Sequence, residues 1–194
     1  MSKFSVLSME MDKAEDYALI DRFLSGAEEA FDMLVRRHQN RVINIVYSLT
    51  GQNPHAQDIA QEVFIKVYSN LGTFEKKAAF STWLYRITVN TTYNYLKARR
   101  EHVSLDDIQE PEDSRKTSLA ELEQKERQGL ISKAIESLPF KYRKILVLKD
   151  IEGLAYIDIA KVVGCRIGTV ESRLFRARLM LKKILTPLME ESRL

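Results

Sequence analysis

The chain has 194 residues, of which 45% are hydrophobic and 29% are charged, and its formal net charge is +3. This length and composition allow one ordinary hydrophobic core or two small ones, and they exclude a disordered chain. Lys, Arg or Asn interrupts each long apolar run, so no segment is predicted to cross a bilayer and we expect no direct membrane insertion.

The first residues and the cysteine content favour a cytoplasmic protein. Residues 1–11 contain no basic leader followed by a long apolar block, so no secretory signal is predicted. The single cysteine, Cys165, cannot form an internal disulfide and excludes a multi-cysteine zinc site. A buried or weakly capping thiol is the commoner role for such a residue, with oxidation sensing as the alternative.

Helical periodicity divides the chain into two parts. Residues 14–101 are helical almost throughout and predict one compact helical domain. From 102 to 118 the periodicity fades and the sequence turns acidic around Pro111, which is typical of a flexible tether. The helical pattern resumes over 119–194. Because no alternating strand pattern or internal repeat occurs, the sequence predicts an all-α protein of two small helical domains joined by a flexible acidic linker.

The predicted helix over 56–71 has an acidic outer face. Apolar residues recur on its inner side at helical spacing, as at Ile59 and Val63. The outward residues are acidic or polar around one aliphatic: Asp58, Gln61, Glu62, Ile65 and Ser69. Carboxylates around an aliphatic repel DNA and suit a protein partner with basic residues, so this face is predicted to dock on another protein. A solvated face is the alternative.

The predicted helix over 80–100 carries a face of mixed chemistry. When the helix is wound at about 100° per residue, its outward residues are cations, amides and aromatic rings: Trp83, Arg86, Asn90, Tyr93, Asn94, Lys97 and Arg100. Cations hold phosphates, amides read base edges, and rings stack on unpaired bases, so this face favours single-stranded or melting DNA. The alternative is that Trp83 and Tyr93 pack against neighbouring helices.

Residues 156–178 have the pattern of a helix-turn-helix. A short apolar helix is followed by Gly164, which suits a tight turn, and then by a basic second helix. Val170, Leu174 and Ala177 share the inner face of the second helix. The remaining faces present Ser172, Phe175 and Arg176, flanked by Glu171, Arg173 and Arg178. This helix is predicted to enter a major groove, with a solvated basic surface helix as the alternative.

Four segments together resemble the extracytoplasmic-function class of bacterial sigma factors, the dissociable promoter-recognition subunits of RNA polymerase. They are Ala-Phe-Asp-Met-Leu-Val at 30–35, Asp-Ile-Ala-Gln-Glu-Val-Phe-Ile-Lys-Val-Tyr at 58–68, Thr-Trp-Leu-Tyr-Arg-Ile at 82–87 running to Asn90, and Gly-Thr-Val-Glu-Ser-Arg-Leu-Phe-Arg-Ala-Arg at 168–178. Each segment is moderately specific, and the four in this order, with an acidic stretch before the last, are strongly specific.

The resemblance implies a function for each surface of the first domain. The counterpart of 58–68 docks on the clamp helices of the polymerase β′ subunit in such proteins. The counterpart of 80–100, with the preceding loop 72–79, captures a flipped base of the melted minus-ten element, and Asn90 matches a base-contacting position. The implied minus-ten residues are Phe74, Lys76, Trp83, Arg86, Asn90, Tyr93, Asn94, Lys97 and Arg100.

The resemblance also implies that the second domain reads the minus-thirty-five element as duplex DNA and contacts the polymerase β flap. The implied contact residues are Arg166, Thr169, Glu171, Ser172, Arg173, Phe175, Arg176 and Arg178. An anti-sigma protein is the further partner that this family implies, and the acidic tether would run toward the RNA exit path. The family needs no cofactor, no metal and no catalytic residue.

The chain departs from the family pattern at three places. Arg166 stands where proline is frequent, and we expect it to contact a phosphate in the bound state. Glu171 stands where a basic residue is frequent; a carboxylate accepts a hydrogen bond from the cytosine amino group, so a shifted minus-thirty-five preference is predicted. Residues 75–78 replace a usual Arg-Gly pair.

Two functions of other kinds compete with this interpretation. A metal-dependent helical enzyme could use His55, Asp58 and Glu62, which lie near one helix face, although a closed site needs further ligands. An ordinary helix-turn-helix regulator would bind duplex DNA without polymerase, but it would leave the faces of 58–69 and 83–100 unexplained.

Overall fold

The computed structural model describes residues 3–51, 53–102 and 119–191. Its α-helices are α1 (Lys3–Leu24), α2 (Glu29–Thr50), α3 (Ala56–Asn70), α4 (Phe80–His102), α5 (Leu119–Ser137), α6 (Phe140–Leu146), α7 (Tyr156–Val163) and α8 (Ile167–Glu191). A 3-10 turn, Leu71–Thr73, follows α3, and α6 continues into a π-helical turn, Val147–Ile151. The described residues contain no strand, and the predicted all-α class is confirmed. The predicted linker meets α4 at His102, and residues 103–118 lie outside the described part.

Glycine ends two of the helices. Gly51 after α2 and Gly164 after α7 adopt left-handed backbone conformations, with φ of 70° and 71°. The amide of Gly164 donates to the carbonyl of Ala160 at 2.9 Å, and the Cys165 amide donates to the same carbonyl at 3.0 Å. Residues without a Cβ adopt this conformation at the lowest cost, which makes Gly164 the turn of the predicted helix-turn-helix.

The first helical unit, α1 to α4, packs around one apolar core. Its fully buried side chains come from all four helices and the turn after α3: Ile20, Leu34, Ile45, Leu49, Ile59, Leu71, Phe80 and Leu84. A buried polar contact lies beside this core, where His38 Nε2 is 3.0 Å from Asp16 Oδ1. The His38 ring also packs edge-on against Phe80, so α1, α2 and the start of α4 are held together at this point.

The second unit, α5 to α8, contributes its own buried side chains, and most of them join the core of the first unit in one continuous apolar cluster. Its buried side chains include Leu138, Ile145, Leu148, Ile159, Val170, Leu174 and Ala177. The last three are the residues that the sequence placed on the inner face of the second helix of the helix-turn-helix. Their burial leaves the opposite side of α8 exposed.

The two units pack directly against each other. Helix α4 packs on α7, and α2 packs on α5 and α6. The buried guanidinium of Arg143 in α6 donates to the carbonyl of Leu49 in α2 at 2.6 Å. The carboxylate of Glu152, 7% exposed, lies 3.9 Å from the Arg41 guanidinium of α2. Burial raises the pKa of Glu152, and the attraction of Arg41 opposes that rise.

This packing buries a side of α4 that the sequence did not single out. Tyr85, Val89 and Thr92 follow one another at helical spacing and are almost fully buried. The Tyr85 hydroxyl is buried near Arg41 and Glu152 without a well-formed hydrogen bond, and burial raises the pKa of Tyr85. Helix α4 therefore has three sides with different surroundings. One packs in the core of the first unit, one packs against the second unit, and one faces solvent.

Candidate nucleic-acid and polymerase interfaces

The solvent-facing side of α4 carries most of the residues predicted to contact DNA. Its exposed members are Arg86, Asn90, Tyr93, Asn94 and Lys97. The side chain of Arg100, which was assigned to this set, lies outside the described residues. The structure thus brings two cations, two amides and a ring onto one helix face.

Two aromatic residues of this face also pack within the protein. Trp83 is half-buried, with ring centroids 5.4 Å from Phe74 and 5.9 Å from Phe80. The ring of Tyr93, still 47% exposed, stacks at 5.1 Å on Phe140 of α6. Each ring packs against the protein on one side and is open on the other. Packing and DNA contact, the two predicted roles, are therefore compatible for both rings.

A cavity of about 410 Å³ lies at the N-terminal end of this face. Loop residues form one wall, Thr82, Trp83 and Arg86 form another, and Lys161 of α7 lies at its edge. The loop residues that line it are Thr73, Phe74, Glu75, Lys77 and Ala78. An indole face beside a guanidinium is chemistry that accepts a nucleobase by stacking and its phosphate by charge. The cavity joins the predicted base-capture loop and the predicted DNA face of α4 into one site.

The loop residues Phe74 and Lys76, which are predicted to contact DNA, both have partners within the protein. Phe74 is 9% exposed and packs on Tyr17, Phe80 and Trp83, so it forms a wall of the cavity instead of reaching outward. The Lys76 ammonium forms an ion pair with Asp21 of α1. The spacing of residues in the sequence does not indicate either contact. Phe74 and Lys76 each lie more than fifty residues along the chain from their partners in α1, Tyr17 and Asp21.

Helix α8 presents the predicted duplex-reading residues. Glu171, Ser172, Phe175 and Arg176 are exposed, and Phe175 reaches 70% exposure. Arg166 is exposed before the helix, whereas Thr169 and Arg173 are partly buried. A phenylalanine exposed to this extent between cations has no partner in its own unit's core, which favours a contact surface over plain solvation.

Two arginines of α8 have partners in the second unit. Arg178 donates twice to the Asp150 carboxylate, from Nε to Oδ2 at 3.0 Å and from Nη2 to Oδ1 at 2.5 Å. This pairing raises the pKa of Arg178. Arg176 lies beside the Tyr142 hydroxyl, and its hydrogen bond lowers the pKa of Tyr142. Both arginines thus have partners within the protein and both remain exposed, and the two-pronged ion pair holds Arg178 more firmly than one hydrogen bond holds Arg176.

Helix α3 exposes the predicted docking face. Asp58, Gln61, Glu62, Ile65 and Ser69 all lie outward, and Ile65 is 60% exposed. The carboxylate of Asp58 pairs with His55 at 3.2 Å, and that of Glu62 pairs with Lys66 at 2.6 Å.

An apolar cavity of about 250 Å³ opens beside this face, lined by Gln61, Phe64, Ile65, Tyr68, Ser69 and Phe31 of α2. Tyr68, 48% exposed, packs edge-on against Phe31 and Phe23 at 5.0 and 5.1 Å. Phe64 and Tyr68 fall within the segment 58–68 that the family resemblance assigns to docking, whereas Phe23 and Phe31 were not assigned to this surface.

No cluster of three or more His, Cys, Asp or Glu suitable for a metal ion occurs among the described residues. The three candidate ligands instead form ion pairs, His55 with Asp58 and Glu62 with Lys66. None of the described helices is both long and apolar enough to span a membrane.

Comparison with known families and proteins decides the identity. Residues 34–102 match the family of sigma-70 region 2, and residues 128–181 match sigma-70 region 4. The chain is 38% identical over 193 residues to the RNA polymerase sigma-H factor of Pseudomonas aeruginosa, covering 94% of this chain and 100% of that protein. It is 36% identical over 189 residues to the ECF RNA polymerase sigma-E factor of Escherichia coli, covering 91% and 97%. The chain belongs to the extracytoplasmic-function sigma factors.

Solved structures support the family assignment of this sigma factor. CnrH, solved in complex with the cytosolic domain of CnrY, has a TM-score of 0.68 and 26% identity, covering 88% of this chain and 97% of that chain. The sigma factor RpoE of Bartonella quintana, solved with the anti-sigma factor NepR, has a TM-score of 0.63 and 25% identity, covering 80% and 96%.

The two family matches contain the surfaces described above. The region 2 match spans most of α2 and all of α3 and α4, and with them the docking face and the 410 Å³ cavity. The region 4 match runs from α5 into α8 and contains the helix-turn-helix. As a member of this family the sigma factor directs promoter-specific initiation of transcription, and it belongs to a family of binding proteins, not of enzymes.

Proposed function

We propose that this sigma factor uses its three exposed surfaces at three successive steps of initiation. The α3 face binds the polymerase β′ clamp helices, the cavity beside α4 captures a flipped base of the minus-ten element, and α8 reads the minus-thirty-five duplex. The observation that carries the proposal is the 410 Å³ cavity, which unites Trp83, Arg86 and the loop 73–78 at one end of the DNA face of α4.

The docking step is supported by the composition of the α3 face. Ile65 and Tyr68 expose apolar surface, and a 250 Å³ cavity beside them can accept a side chain of the partner. Asp58 and Glu62 surround this apolar centre with carboxylates. An apolar centre with an acidic rim complements a partner that offers an aliphatic anchor among basic residues.

The melting step follows from binding energy alone. Extruding one base from a duplex costs roughly a few kcal/mol, and stacking on an aromatic side chain returns about 1–3 kcal/mol per base. Trp83 offers its open face to such a base, and Arg86, Asn90 and Lys97 continue along α4 for the strand that follows. No side chain needs to act as an acid, a base or a nucleophile.

The described arrangement of the two units is a closed one. Lys161 of α7 lies at the edge of the cavity that captures the base, and α7 covers the side of α4 next to it. The two units therefore separate when the protein engages polymerase and promoter. Because CnrH and the Bartonella quintana RpoE were solved with protein partners, we include a cytoplasmic anti-sigma protein that holds the closed arrangement.

The test is runoff transcription with purified core RNA polymerase on a pool of promoter fragments, followed by sequencing of the transcript starts. We expect discrete starts that depend on this protein. Tight duplex binding by the protein alone, without protein-dependent starts, would contradict the proposal and favour the stand-alone regulator.

Surface variants connect the docking step and the minus-thirty-five step to their residues, in a core-polymerase binding assay and in runoff transcription. Ile65→Ser should weaken binding to core polymerase by about tenfold, because it removes the apolar centre of the docking face. Leu24→Ser is the matched control, since Leu24 is 53% exposed and Ile65 60% exposed, and Leu24 lies outside the docking face.

Arg176→Ala should lower dependence on the minus-thirty-five element and leave affinity for core polymerase unchanged.

A further inference from the structure

The loop that borders the base-capture cavity contains one residue in an unfavourable backbone conformation. Lys76 has a φ of 55° and is the one non-glycine residue with positive φ in the described part of the chain. Left-handed backbone crowds the Cβ of an ordinary residue, so glycine normally occupies such a position. Residues 75–78 read Glu-Lys-Lys-Ala and contain no glycine. The loop therefore needs contacts from elsewhere to hold its shape.

Helix α1 supplies those contacts through two residues one turn apart. The Tyr17 hydroxyl donates to the carbonyl oxygen of Ala78 at 3.1 Å and lies 3.4 Å from that of Lys76. The Asp21 carboxylate pairs with the Lys76 ammonium, which also lies 5.6 Å from the centre of the Tyr17 ring. Helix α1 thus contacts both the backbone and the side chain of Lys76.

Tyr17 also reaches the aromatic wall of the cavity. Its ring centre lies 6.0 Å from that of Phe74, and Phe74 in turn lies 5.4 Å from Trp83. Both Phe74 and Trp83 line the cavity, and Phe74 is almost fully buried between its neighbours. A displacement of Tyr17 would therefore move the loop backbone and the aromatic wall together.

We propose that Tyr17 and Asp21 are positioning residues that shape the base-capture loop and thereby set base specificity in the minus-ten element. The inference rests on the proposed function of the cavity. Neither residue touches the captured base; both act through Lys76, Ala78 and Phe74. Helix α1 precedes residue 34, where the region 2 family match begins, so this assignment comes from the contacts of this chain.

The experiment uses holoenzyme reconstituted from core polymerase and the full chain. Promoters carry each of the four bases at every minus-ten position, with the minus-thirty-five element held constant, and transcript yield is measured for each. Tyr17→Phe and Asp21→Asn should each lower the discrimination between the preferred base and the others by about threefold to tenfold at the captured position, since small displacements of a fitted site are costly. Affinity for core polymerase and discrimination at the minus-thirty-five element should not change.

A rescue variant separates positioning from direct contact. Glycine adopts the left-handed conformation freely, so Lys76→Gly should make the loop independent of Asp21, and adding Asp21→Asn should then have little further effect. If the Lys76 ammonium instead bound a DNA phosphate, Asp21→Asn would release it, raise promoter affinity and steepen the salt dependence. That result would overturn the inference.

The control is Glu29→Gln, which breaks the exposed Arg22–Glu29 ion pair at 3.2 Å near the end of α1 without touching the loop. It should leave minus-ten discrimination unchanged. Simple destabilisation by Tyr17→Phe would lower transcription from every promoter equally, and an unaltered ratio between bases would overturn the inference. Absence of transcription with the unaltered chain would instead contradict the proposed function, on which the inference depends.

Discussion

Glu171 is the residue of α8 whose chemistry differs most from its surroundings. It is exposed near Ser172, Phe175 and Arg176, at the flank of the buried face that contains Val170. A carboxylate accepts a hydrogen bond from the cytosine amino group in the major groove and repels neighbouring phosphates. We therefore expect Glu171 to contact a base and not a phosphate, while the exposed Arg166 and Arg176 supply positive charge for the phosphates.

Glu171→Arg should change the base preferred at one minus-thirty-five position. An arginine favours guanine, and a good side-chain pair discriminates by about 1–3 kcal/mol, so the preference should shift by roughly tenfold to hundredfold. Runoff transcription on a library that varies only the minus-thirty-five element measures this shift. Glu28→Arg makes the same charge change at an exposed site of the first unit and should leave the preference unaltered. An identical preference in the Glu171 variant would refute the base contact.

At the scale of elements, the π-helical turn after α6 connects the core of the second unit to α8. Its Asp150 holds Arg178 in a two-pronged ion pair. Both side chains are partly exposed, 34% for Asp150 and 53% for Arg178, so solvent screens much of their attraction. We infer that the pair mainly orients α8 and that Arg178 contributes less to DNA binding than Arg176.

Asp150→Asn and Arg178→Ala should each destabilise the protein by no more than about 1 kcal/mol, and the double variant by no more than either alone, because both break the same pair. Chemical denaturation measures these changes. Affinity for minus-thirty-five duplex in the holoenzyme should fall less in Arg178→Ala than in Arg176→Ala. A larger loss in Arg178→Ala, together with tighter binding in Asp150→Asn, would show that Arg178 leaves Asp150 to bind DNA.

At the scale of the whole molecule, Arg143 forms hydrogen bonds on both sides of the packing between the two units. Its guanidinium, 4% exposed, donates to the carbonyls of Leu49 in α2 and of Glu136 and Leu138 in its own unit. One buried cation thus satisfies carbonyl oxygens at helix ends on both sides of the interface. Removing it would leave those oxygens buried without their donor.

Arg143→Met should lower the free energy of unfolding by about 2–3 kcal/mol and loosen the closed arrangement, because hydrogen bonds from a buried charged group are lost. Denaturation gives the first quantity, and small-angle scattering gives the second as a larger radius of gyration. Lys141→Met changes an exposed cation of the same helix and should alter neither. An unchanged radius in a folded Arg143→Met variant would show that apolar contacts alone hold the units together.

The sequence predicts features that depend on residues three or four positions apart, because such residues share one face of a helix. Val170, Leu174 and Ala177 are buried as their spacing predicted, and the turn at Gly164 lies where it was expected. The outward faces of α3 and α4 also emerged from spacing alone, because neighbours three and four residues apart share a side of a helix. The sequence did not predict the burial of Tyr85, Val89 and Thr92. These residues lie on a third side of α4, and the periodicity does not distinguish that side from the other two.

The sequence by itself therefore determined the helical class, the family and the exposed faces that we propose for polymerase and DNA, because those depend on residue type and on local periodicity. Only the tertiary structure decided which surfaces work together. It placed Tyr17 on the carbonyl of Ala78 across 61 residues, and Arg143 on the carbonyl of Leu49 across 94. Contacts between residues so distant in the chain depend on how the helices pack, which the spacing within any one helix does not specify.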